Sequence, residues 1–300
     1  MNFQEHLKNY VEKNPRLVKR RKVGDDLFVL KYHNRVFYKN LWNRYTEVCR
    51  GTVVDGEYNP ITLPFTKIYN YGIECNAPAI DDDEIVMAFR KVNGFMGAAT
   101  WHDGAPLLST TGSIDSDHVG YFREMIPEWD EFSQTLQDNP HLTFMFEVVH
   151  PSDPHIVPEE LGVYLLAYRE KKWGSKVGHD PGLLYAYSLR MHVTVPDHYM
   201  MSMRNLKGTA RAVRHEGFVI YCADGRSSKI KSPYYLVNKF MARIKDTGRL
   251  MEDSVFDKID EEYYPLVEHV RENLSEFSEL DEQQRLNWIK NYLESDDYDA

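Results

Sequence analysis

Three apolar runs of strand length dominate the middle of the chain, namely LTFMFEVVH (142–150), GVYLLAYRE (162–170) and EGFVIYC (216–222). Two segments before them, DSDHVGYFREMI and EFSQTLQDNP, carry apolar residues at helical spacing. From about residue 26 to 235, strands and helices are mixed without a regular βαβ repeat. The pattern therefore predicts an α+β fold with antiparallel sheets.

The N-terminal part begins with a predicted helix. Phe3, Leu7 and Val11 fit one apolar helical face, which ends near Pro15. The segment DDLFVLKYHNRVFYK is typical of a β-hairpin, and His33-Asn34 is its expected turn.

The character of the chain changes after Pro233, where helical spacing takes over. Leu286, Ile289 and Leu293 mark one face of the last predicted helix. We therefore expect a main domain over residues 1–235 and a small acidic helical domain over residues 236–300. The last residues, ESDDYDA, are expected to form a frayed acidic tail.

Charge is unevenly distributed. The chain has a net charge of −10, but residues 251–300 hold 16 Asp and Glu against 4 Lys and Arg, so the first 250 residues carry +2. A basic groove in the first part is compatible with this balance, and the acidic end is suited to a protein partner. The sequence has no apolar stretch of membrane-spanning length, and its three cysteines form no CxxC pair. We expect no membrane contact and a reducing cytoplasm, the host cytoplasm if the chain is viral.

Lys91 lies in AFRKVNGFMGAAT (88–100), a stretch that otherwise has the composition of a buried strand and turn. Asn93-Gly94 predicts a tight turn, since both residues tolerate positive φ. A buried ammonium needs a partner or loses its proton, and a neutral lysine is a nucleophile.

A second pair of lysines occurs in KIKS (229–232). In a strand, Lys229 and Lys231 point to the same face and would repel each other unless an anion lies over them. A phosphate would satisfy both, although a solvated basic strand edge is the alternative.

Two carboxylates stand beside apolar strands. Glu147 lies within LTFMFEVV, and Glu216 opens EGFVIYC. A buried ion pair or a surface strand end would explain each without a catalytic role. Arg50 and Lys67 would by themselves be surface cations, and STTGSI (109–114) is either a turn or a phosphate-binding loop.

Several other classes of site are excluded by their missing motifs. HPSDPHIVPEE holds two histidines but no helical His pair, so a zinc site is not expected. The chain also lacks the GxSxG, GxxxxGK[ST] and GxGxxG motifs.

The order of these segments is more specific than any one of them. Arg50-Gly51, Lys67, KVNG, STTGSI, FEVV, VYLLAYRE, EGFV and KIKS follow one another over residues 26–235. This order resembles the covalent nucleotidyltransferases, and among them the phage-type RNA ligase 1 family of ATP-dependent RNA ligases. The resemblance implies a nucleotidyltransferase core, an ATP-grasp-like ligase fold of antiparallel sheets with helices, followed by the small C-terminal helical domain.

The resemblance also implies roles for individual residues. Lys91 would attack the α-phosphorus of ATP and become lysyl-AMP, after which the AMP would pass to an RNA 5′-phosphate and a 3′-OH would displace it. The implied nucleotide contacts are Lys229 and Lys231 to the α-phosphate, Glu147 to the ribose, Tyr164 beside the adenine, Asn93 and Gly94 at the turn, and Arg50 and Lys67 near the phosphates. Glu216 would take part in catalysis and bind the metal, Mg²⁺ or alternatively Mn²⁺, and Tyr69 and Tyr235 occupy further family positions.

The sequence departs from the family at two site positions. Many phage members have KxDG where this chain has Asn93, and they often have lysine where it has Thr111. The alternatives are a DNA ligase, a capping-type guanylyltransferase, and a non-catalytic RNA-end binding protein on the same scaffold. No OB-fold-sized segment follows KIKS, which argues against the first two.

Overall fold

The computed structural model describes residues 2–295 and residue 298, so the expected frayed tail at Asp296, Asp297, Asp299 and Ala300 lies outside the described residues. The described chain forms two compact units. The first unit comprises residues 1–69, 94–153 and 159–198, and the second comprises residues 70–93, 154–158 and 199–300.

Fourteen strands are described, and in chain order they are β1 (Val18–Lys22), β2 (Phe28–Tyr32), β3 (Arg50–Val54), β4 (Pro60–Thr62), β5 (Tyr69–Asn70), β6 (Ile85–Arg90), β7 (Phe95–His102), β8 (Ala105–Thr110), β9 (Leu142–Val149), β10 (Gly162–Glu170), β11 (Val177–Gly178), β12 (His198–Ser202), β13 (Gly217–Cys222) and β14 (Ser227–Lys231). The α-helices are α1 (Phe3–Lys13), α2 (Asn34–Tyr38), α3 (Asp117–Glu124), α4 (Trp129–Asp138), α5 (Pro181–Met191), α6 (Met203–Ala212), α7 (Pro233–Arg243), α8 (Tyr264–Glu272), α9 (Leu274–Glu279) and α10 (Glu282–Leu293). Short 3₁₀ helices span Thr247–Met251, Asp253–Lys258 and Glu261–Tyr263.

The first unit contains two antiparallel sheets. One has the order β1-β2-β3-β4, and the predicted N-terminal helix α1 packs on it through Leu7 and Val11. The other has the order β11-β10-β9-β7-β8. Its strand β9 is buried along its whole length, which explains why its sequence is an almost continuous apolar run rather than an alternating one.

The second unit contains a five-stranded sheet of order β12-β6-β13-β14-β5. Cross-strand partners share a face of a sheet. Ala88, Phe218 and Ile220 lie on one face, where they pack with Met203 and Leu206 of α6. α6 therefore covers this face, and the opposite face of β6, β13 and β14, the polar face, carries Lys229 and Lys231.

The helices after α7 share an apolar core with α7, which contributes Val237 and Met241. Leu266, Val267 and Phe277 are buried in it together with Ile289 and Leu293 of the last helix. A capping box begins α10, in which the Asp281 side chain accepts from the Gln284 backbone N–H and the Gln284 side chain accepts from the Asp281 backbone N–H. The helical spacing in the sequence is thus confirmed.

The expected hairpin turn at His33-Asn34 is wrong. The first hairpin pairs β1 with β2, one strand earlier, and residues 34–38 form the short helix α2. His33 Nδ1 accepts from the Arg35 backbone N–H at 3.3 Å, as a helix N-cap does, and Val36 is fully buried. A local cap and one buried valine therefore override the strand-like composition.

The α+β class with antiparallel sheets is confirmed. The expected domain division at residue 236 stays a prediction, because α7 runs across that position within the second unit. In the described part of the chain, no helix combines the length and the apolar character that a membrane crossing requires.

Gly217 determines how β13 can begin. Its φ is +123°, and a Cβ at this position would lie 2.1 Å from the Ile230 carbonyl oxygen. No side chain fits so close to the backbone of β14, and L-residues avoid this φ. The glycine therefore permits the residue before it, Glu216, to stand directly beside the end of β14.

Replacing Gly217 with alanine should lower the free energy of unfolding by about 3 kcal/mol or more, because both the backbone strain and the overlap with β14 must be relieved. Denaturant unfolding measures this. The matched control is Gly208→Ala inside α6, where a Cβ would meet nothing within 4 Å. That change should be neutral or stabilise the helix by about 0.5–1 kcal/mol. Equal effects of the two changes would contradict the role of Gly217.

Candidate active site

Three lysines lie on the polar face of the sheet in the second unit. Lys229 and Lys231 alternate along β14, opposite Val219 and Gly217 of β13. The Lys91 backbone N–H donates to the Gly217 carbonyl at 2.8 Å, which continues the pairing of β6 with β13. The predicted pairing of the two KIKS lysines on one face is therefore observed, and Lys91 shares that face.

Glu216 is the carboxylate that these lysines share. Lys91 Nζ donates to its Oε2 at 2.9 Å, and Lys231 Nζ lies 3.1 Å from its Oε1. The Glu216 side chain is only 4% exposed. A carboxylate so deeply buried is stable only when it is paired, and here it has two cations.

The charges around Glu216 determine its ionisation. Burial alone would raise the pKa of Glu216, but the charges and hydrogen bonds of Lys91 and Lys231 outweigh burial and lower this pKa to about 2. Burial lowers the pKa of Lys231, while Glu216 opposes that effect. Glu216 is consequently an anion throughout the neutral range and binds protons poorly.

Asn93 holds the same carboxylate. Its Nδ2 donates to Glu216 Oε2 at 2.7 Å, and its Oδ1 accepts from the Val157 backbone N–H at 3.0 Å. An aspartate here would place a second carboxylate against Glu216. The asparagine instead donates to Glu216, a role that the KxNG spacing by itself did not reveal.

Neither Asn93 nor Gly94 takes the positive φ that both tolerate, and the chain bends at Gly94. Gly94 is needed because of a close backbone contact within the first unit. A Cβ on Gly94 would lie 2.3 Å from the Val148 carbonyl oxygen of β9. Close approach of two backbones, rather than turn geometry, excludes a side chain there.

Glu147 and Tyr164 are neighbours in the first unit. Glu147 Oε1 accepts from the Gly94 backbone N–H at 3.1 Å, and Tyr164 is the cross-strand partner of Glu147 on β10. The Tyr164 hydroxyl donates to the Glu160 carbonyl at 2.9 Å. The structure thus brings together Gly94, Glu147 and Tyr164, three of the residues predicted to contact the nucleotide.

Lys67 lies against aromatic rings. Its Nζ is 4.5 Å from the centroid of the Tyr69 ring and 5.2 Å from that of Trp42. The Tyr69 hydroxyl donates to Glu47 Oε1 at 2.6 Å, which fixes the ring. These contacts limit the conformations of a side chain that would otherwise be flexible.

Arg50 opens β3 beside the STTGSI loop. The Thr110 carbonyl oxygen lies 2.6 Å from where a Cβ on Gly51 would be, so the two segments touch. Lys31 Nζ lies 3.1 Å from the corresponding Cβ position at Gly112. A cation therefore lies at this loop although residue 111 is threonine. Sequence reasoning missed Lys31, whose only signal was its place among other cations.

Tyr235 is a further residue of the second unit that contacts the lysines. Lys231 Nζ lies 4.3 Å from the centroid of its ring. Burial raises the pKa of Tyr235 to about 12, so the phenol stays neutral. Ser232 caps α7 by accepting from the Tyr235 backbone N–H at 3.1 Å, and this places the ring next to the end of β14.

A complete all-protein metal site is absent from the described residues, in which no group of three or more His, Cys, Asp or Glu side chains is placed to hold an ion. Glu216 is a buried carboxylate that contacts two of the three lysines. Mg²⁺ commonly takes one or two carboxylates and completes its shell with phosphate oxygens and water. Glu216 fits such a partial site, provided that its contacts with the lysines rearrange.

Comparison with known proteins supports the fold. No protein-family model matches the chain, and no curated protein matches it. Two solved structures of an archaeal ATP-dependent RNA ligase superpose with TM-scores of 0.57 and 0.58, at 14% identity, over 97% of this chain and 80% of theirs. A structure named as an ATP-dependent DNA ligase from Aquifex aeolicus superposes with a TM-score of 0.56, at 13% identity, over 98% of this chain and 78% of its own. The chain thus has the fold of these nucleic-acid ligases.

The stability contributed by Glu216 should depend on pH in a defined window. Because the pKa of Glu216 is lowered from 4.5 to about 2, its contribution is complete above pH 4.5 and is lost as the pH falls towards 2. The difference in unfolding free energy between the wild type and Glu216→Gln should be about 3 kcal/mol near pH 6. It should shrink by about 2 kcal/mol at pH 3.

Denaturant titrations at the two pH values test this prediction. The matched control is Glu282→Gln, which removes a carboxylate from an exposed pair with Arg243. Exposed pairs contribute little, so this change should have a small and nearly pH-independent effect. A pH-independent difference for Glu216→Gln would show that its carboxylate is not held by the lysines.

Proposed function

We propose that this chain is an ATP-dependent RNA ligase that forms a covalent lysyl-AMP at Lys91, transfers the AMP to an RNA 5′-phosphate and seals it to a 3′-OH. The observation that carries the proposal is the polar face of the second unit. Lys91, Lys229 and Lys231 share that face, and two of them contact the buried carboxylate of Glu216. Three lysines concentrated on one sheet face form a basic surface that suits a polyphosphate.

Lys91 has the role of nucleophile. Its Nζ attacks the α-phosphorus of ATP, a P–N bond forms, the bond to the bridging oxygen breaks, and pyrophosphate leaves. An oxygen of the RNA 5′-phosphate then attacks the same phosphorus and releases Lys91. Finally the 3′-OH attacks the activated 5′-phosphate and AMP leaves.

Glu216 has a positioning role towards Lys91. The amine must lose a proton before it attacks, but a carboxylate with a pKa of about 2 has almost no tendency to take that proton near neutral pH. The hydrogen bond of 2.9 Å instead orients Nζ, and the shared contact with Lys231 balances the charge. Asn93 completes the arrangement by donating to the same carboxylate oxygen.

The remaining residues have binding roles in the proposal. Lys229 and Lys231 hold the α-phosphate, Arg50 and Lys67 bind near the outer phosphates or the RNA end, and Glu147 and Tyr164 bind the ribose and the adenine. Mg²⁺, or Mn²⁺ in its place, would be held by Glu216 with phosphate oxygens and would neutralise charge on the transferring group. A protein partner at the acidic helical segment and a cytoplasmic location belong to the same proposal.

A DNA ligase is the second candidate, because the Aquifex aeolicus structure superposes about as well as the archaeal RNA ligase structures do. Both candidates share the lysyl-AMP step and differ only in the strand that receives the AMP. Trapping the adenylylated protein and chasing it with single-stranded 5′-phosphorylated RNA or DNA separates them. Faster sealing of DNA than of RNA would favour the DNA ligase.

The first step is tested by incubating the protein with α-labelled ATP and a divalent cation. Label should remain on the protein through denaturing electrophoresis, and Lys91→Ala and Lys91→Arg should both abolish it. Lys245→Ala, at an exposed lysine remote in sequence, is the control and should label normally. Absence of label from the wild type would favour a non-catalytic binding protein, and strong labelling from GTP would favour a capping-type enzyme.

The α-phosphate contacts are tested in the same assay. Lys229→Ala and Lys231→Ala should each slow self-labelling by about 10²-fold, the scale of losing one donor to a developing oxyanion. Thermal unfolding should be measured in parallel, since Lys231→Ala leaves Glu216 with one cation fewer. Normal labelling rates in both variants would contradict the α-phosphate contacts and would favour the alternative that the two lysines form a solvated strand edge.

A further inference from the structure

Residues 13–46 carry a positive charge that the catalytic proposal does not use. This segment holds ten Lys and Arg against two Asp, a net charge of +8 in a chain whose total is −10. In the part of the chain that the structure describes, only one of the ten has a carboxylate partner, Arg21 with Asp115 at 3.0 Å. Unpaired like charges repel one another, so their concentration here points to an anionic ligand.

The strands arrange some of these cations in a row. Lys19 of β1 is directly opposite Lys31 of β2, and Lys31 is opposite Arg50 of β3. Directly opposed side chains in an antiparallel sheet lie about 5 Å apart, where like charges destabilise the sheet. Lys19 and Lys31 are both exposed. The row therefore carries one cation on each of three neighbouring strands.

Two exposed aromatic residues come shortly after Lys31 in the sequence. β2 leads into α2, where the Phe37 side chain is 52% exposed and that of Tyr38 is 79% exposed. Their ring centroids lie 5.5 Å apart at an interplanar angle of 80°. Arg35 and Lys39 flank them and are exposed as well.

The platform beneath these rings is fixed. Val36 is fully buried, and the Leu41 backbone N–H donates to the Val36 carbonyl at 2.9 Å. Tyr32 precedes α2 and Trp42 follows it, and their rings pack edge to face with centroids 4.8 Å apart. Phe37 and Tyr38 are thus held in the solvent by a rigid base rather than left there by a mobile loop.

We infer that residues 19–39 of the first unit bind a single-stranded nucleic acid, with Lys19, Lys31 and Lys39 along its phosphates and Phe37 and Tyr38 against its bases. The inference rests on the proposed ligase function and concerns the nucleic-acid strand rather than the nucleotide. Cations that follow a backbone, interleaved with flat exposed rings, are the combination that binds single strands. An acidic protein would satisfy the cations but would leave the two rings without a flat partner.

The experiment measures binding of a fluorescent, 5′-phosphorylated single-stranded RNA by anisotropy over a series of salt concentrations, without ATP. Lys31→Ala/Lys39→Ala should weaken binding about tenfold or more and should reduce the slope of log K against log salt by about two. Phe37→Ala/Tyr38→Ala should weaken binding about tenfold and leave the salt slope unchanged, because stacking releases no counterions.

Lys245→Ala/Lys258→Ala is the control, since it removes the same charge from exposed lysines elsewhere and should leave binding unchanged. Thermal unfolding checks that each variant is folded. Unchanged RNA affinity in both test variants, or an equal loss in the control, would overturn the inference. Tighter binding of a blunt duplex than of the single strand would also overturn it, since paired bases cannot stack on the rings. Failure of the ligase proposal is separate and appears as a wild type that takes no label from ATP.

Discussion

The arrangement in the second unit depends on one buried carboxylate, that of Glu216. It is 4% exposed and lies between two ammonium groups. Without it, Lys91 and Lys231 would be neighbouring, partly buried cations, and without them it would be a buried anion. Removing either side of such a pair is costly because the remaining charge stays desolvated. The three residues are therefore energetically interdependent.

Backbone geometry makes this arrangement possible. Gly217 allows β13 to approach β14 so closely that Glu216 reaches Lys231, and Ser232 ends β14 directly afterwards. Asn93 ties the segment after Lys91 to the same carboxylate. Because these groups are held by strand pairing and by a helix cap, Lys91 Nζ has a defined orientation towards Glu216. For the proposed ligase, preorganisation of this kind would reduce the cost of reaching a reactive geometry.

Net charge is a misleading guide to this protein. Its acidic residues are concentrated in the last fifty positions, while residues 13–46 are strongly basic. Interactions between exposed charges are screened over about a Debye length, so such segments act as separate local surfaces. A chain with a total charge of −10 can consequently present both a lysine-rich sheet face and a basic, aromatic strand surface.

The sequence by itself determined the fold class and most of the candidate site. The continuous apolar run of β9 and the alternation of Lys229 and Lys231 depend on local periodicity, which is encoded residue by residue. The order of the motifs selected Lys91, Glu216 and the KIKS lysines, and the structure places these residues on or beside one sheet face.

Only the tertiary structure decided what those residues contact. The hairpin expected at His33-Asn34 was wrong because burial of Val36 outweighed local strand propensity. Gly94 is required by the close approach of a distant strand, β9, and not by a positive φ. The partners Lys91 and Glu216 are 125 positions apart in the chain. Such pairings arise from strand register, and no local pattern specifies which strands will be neighbours.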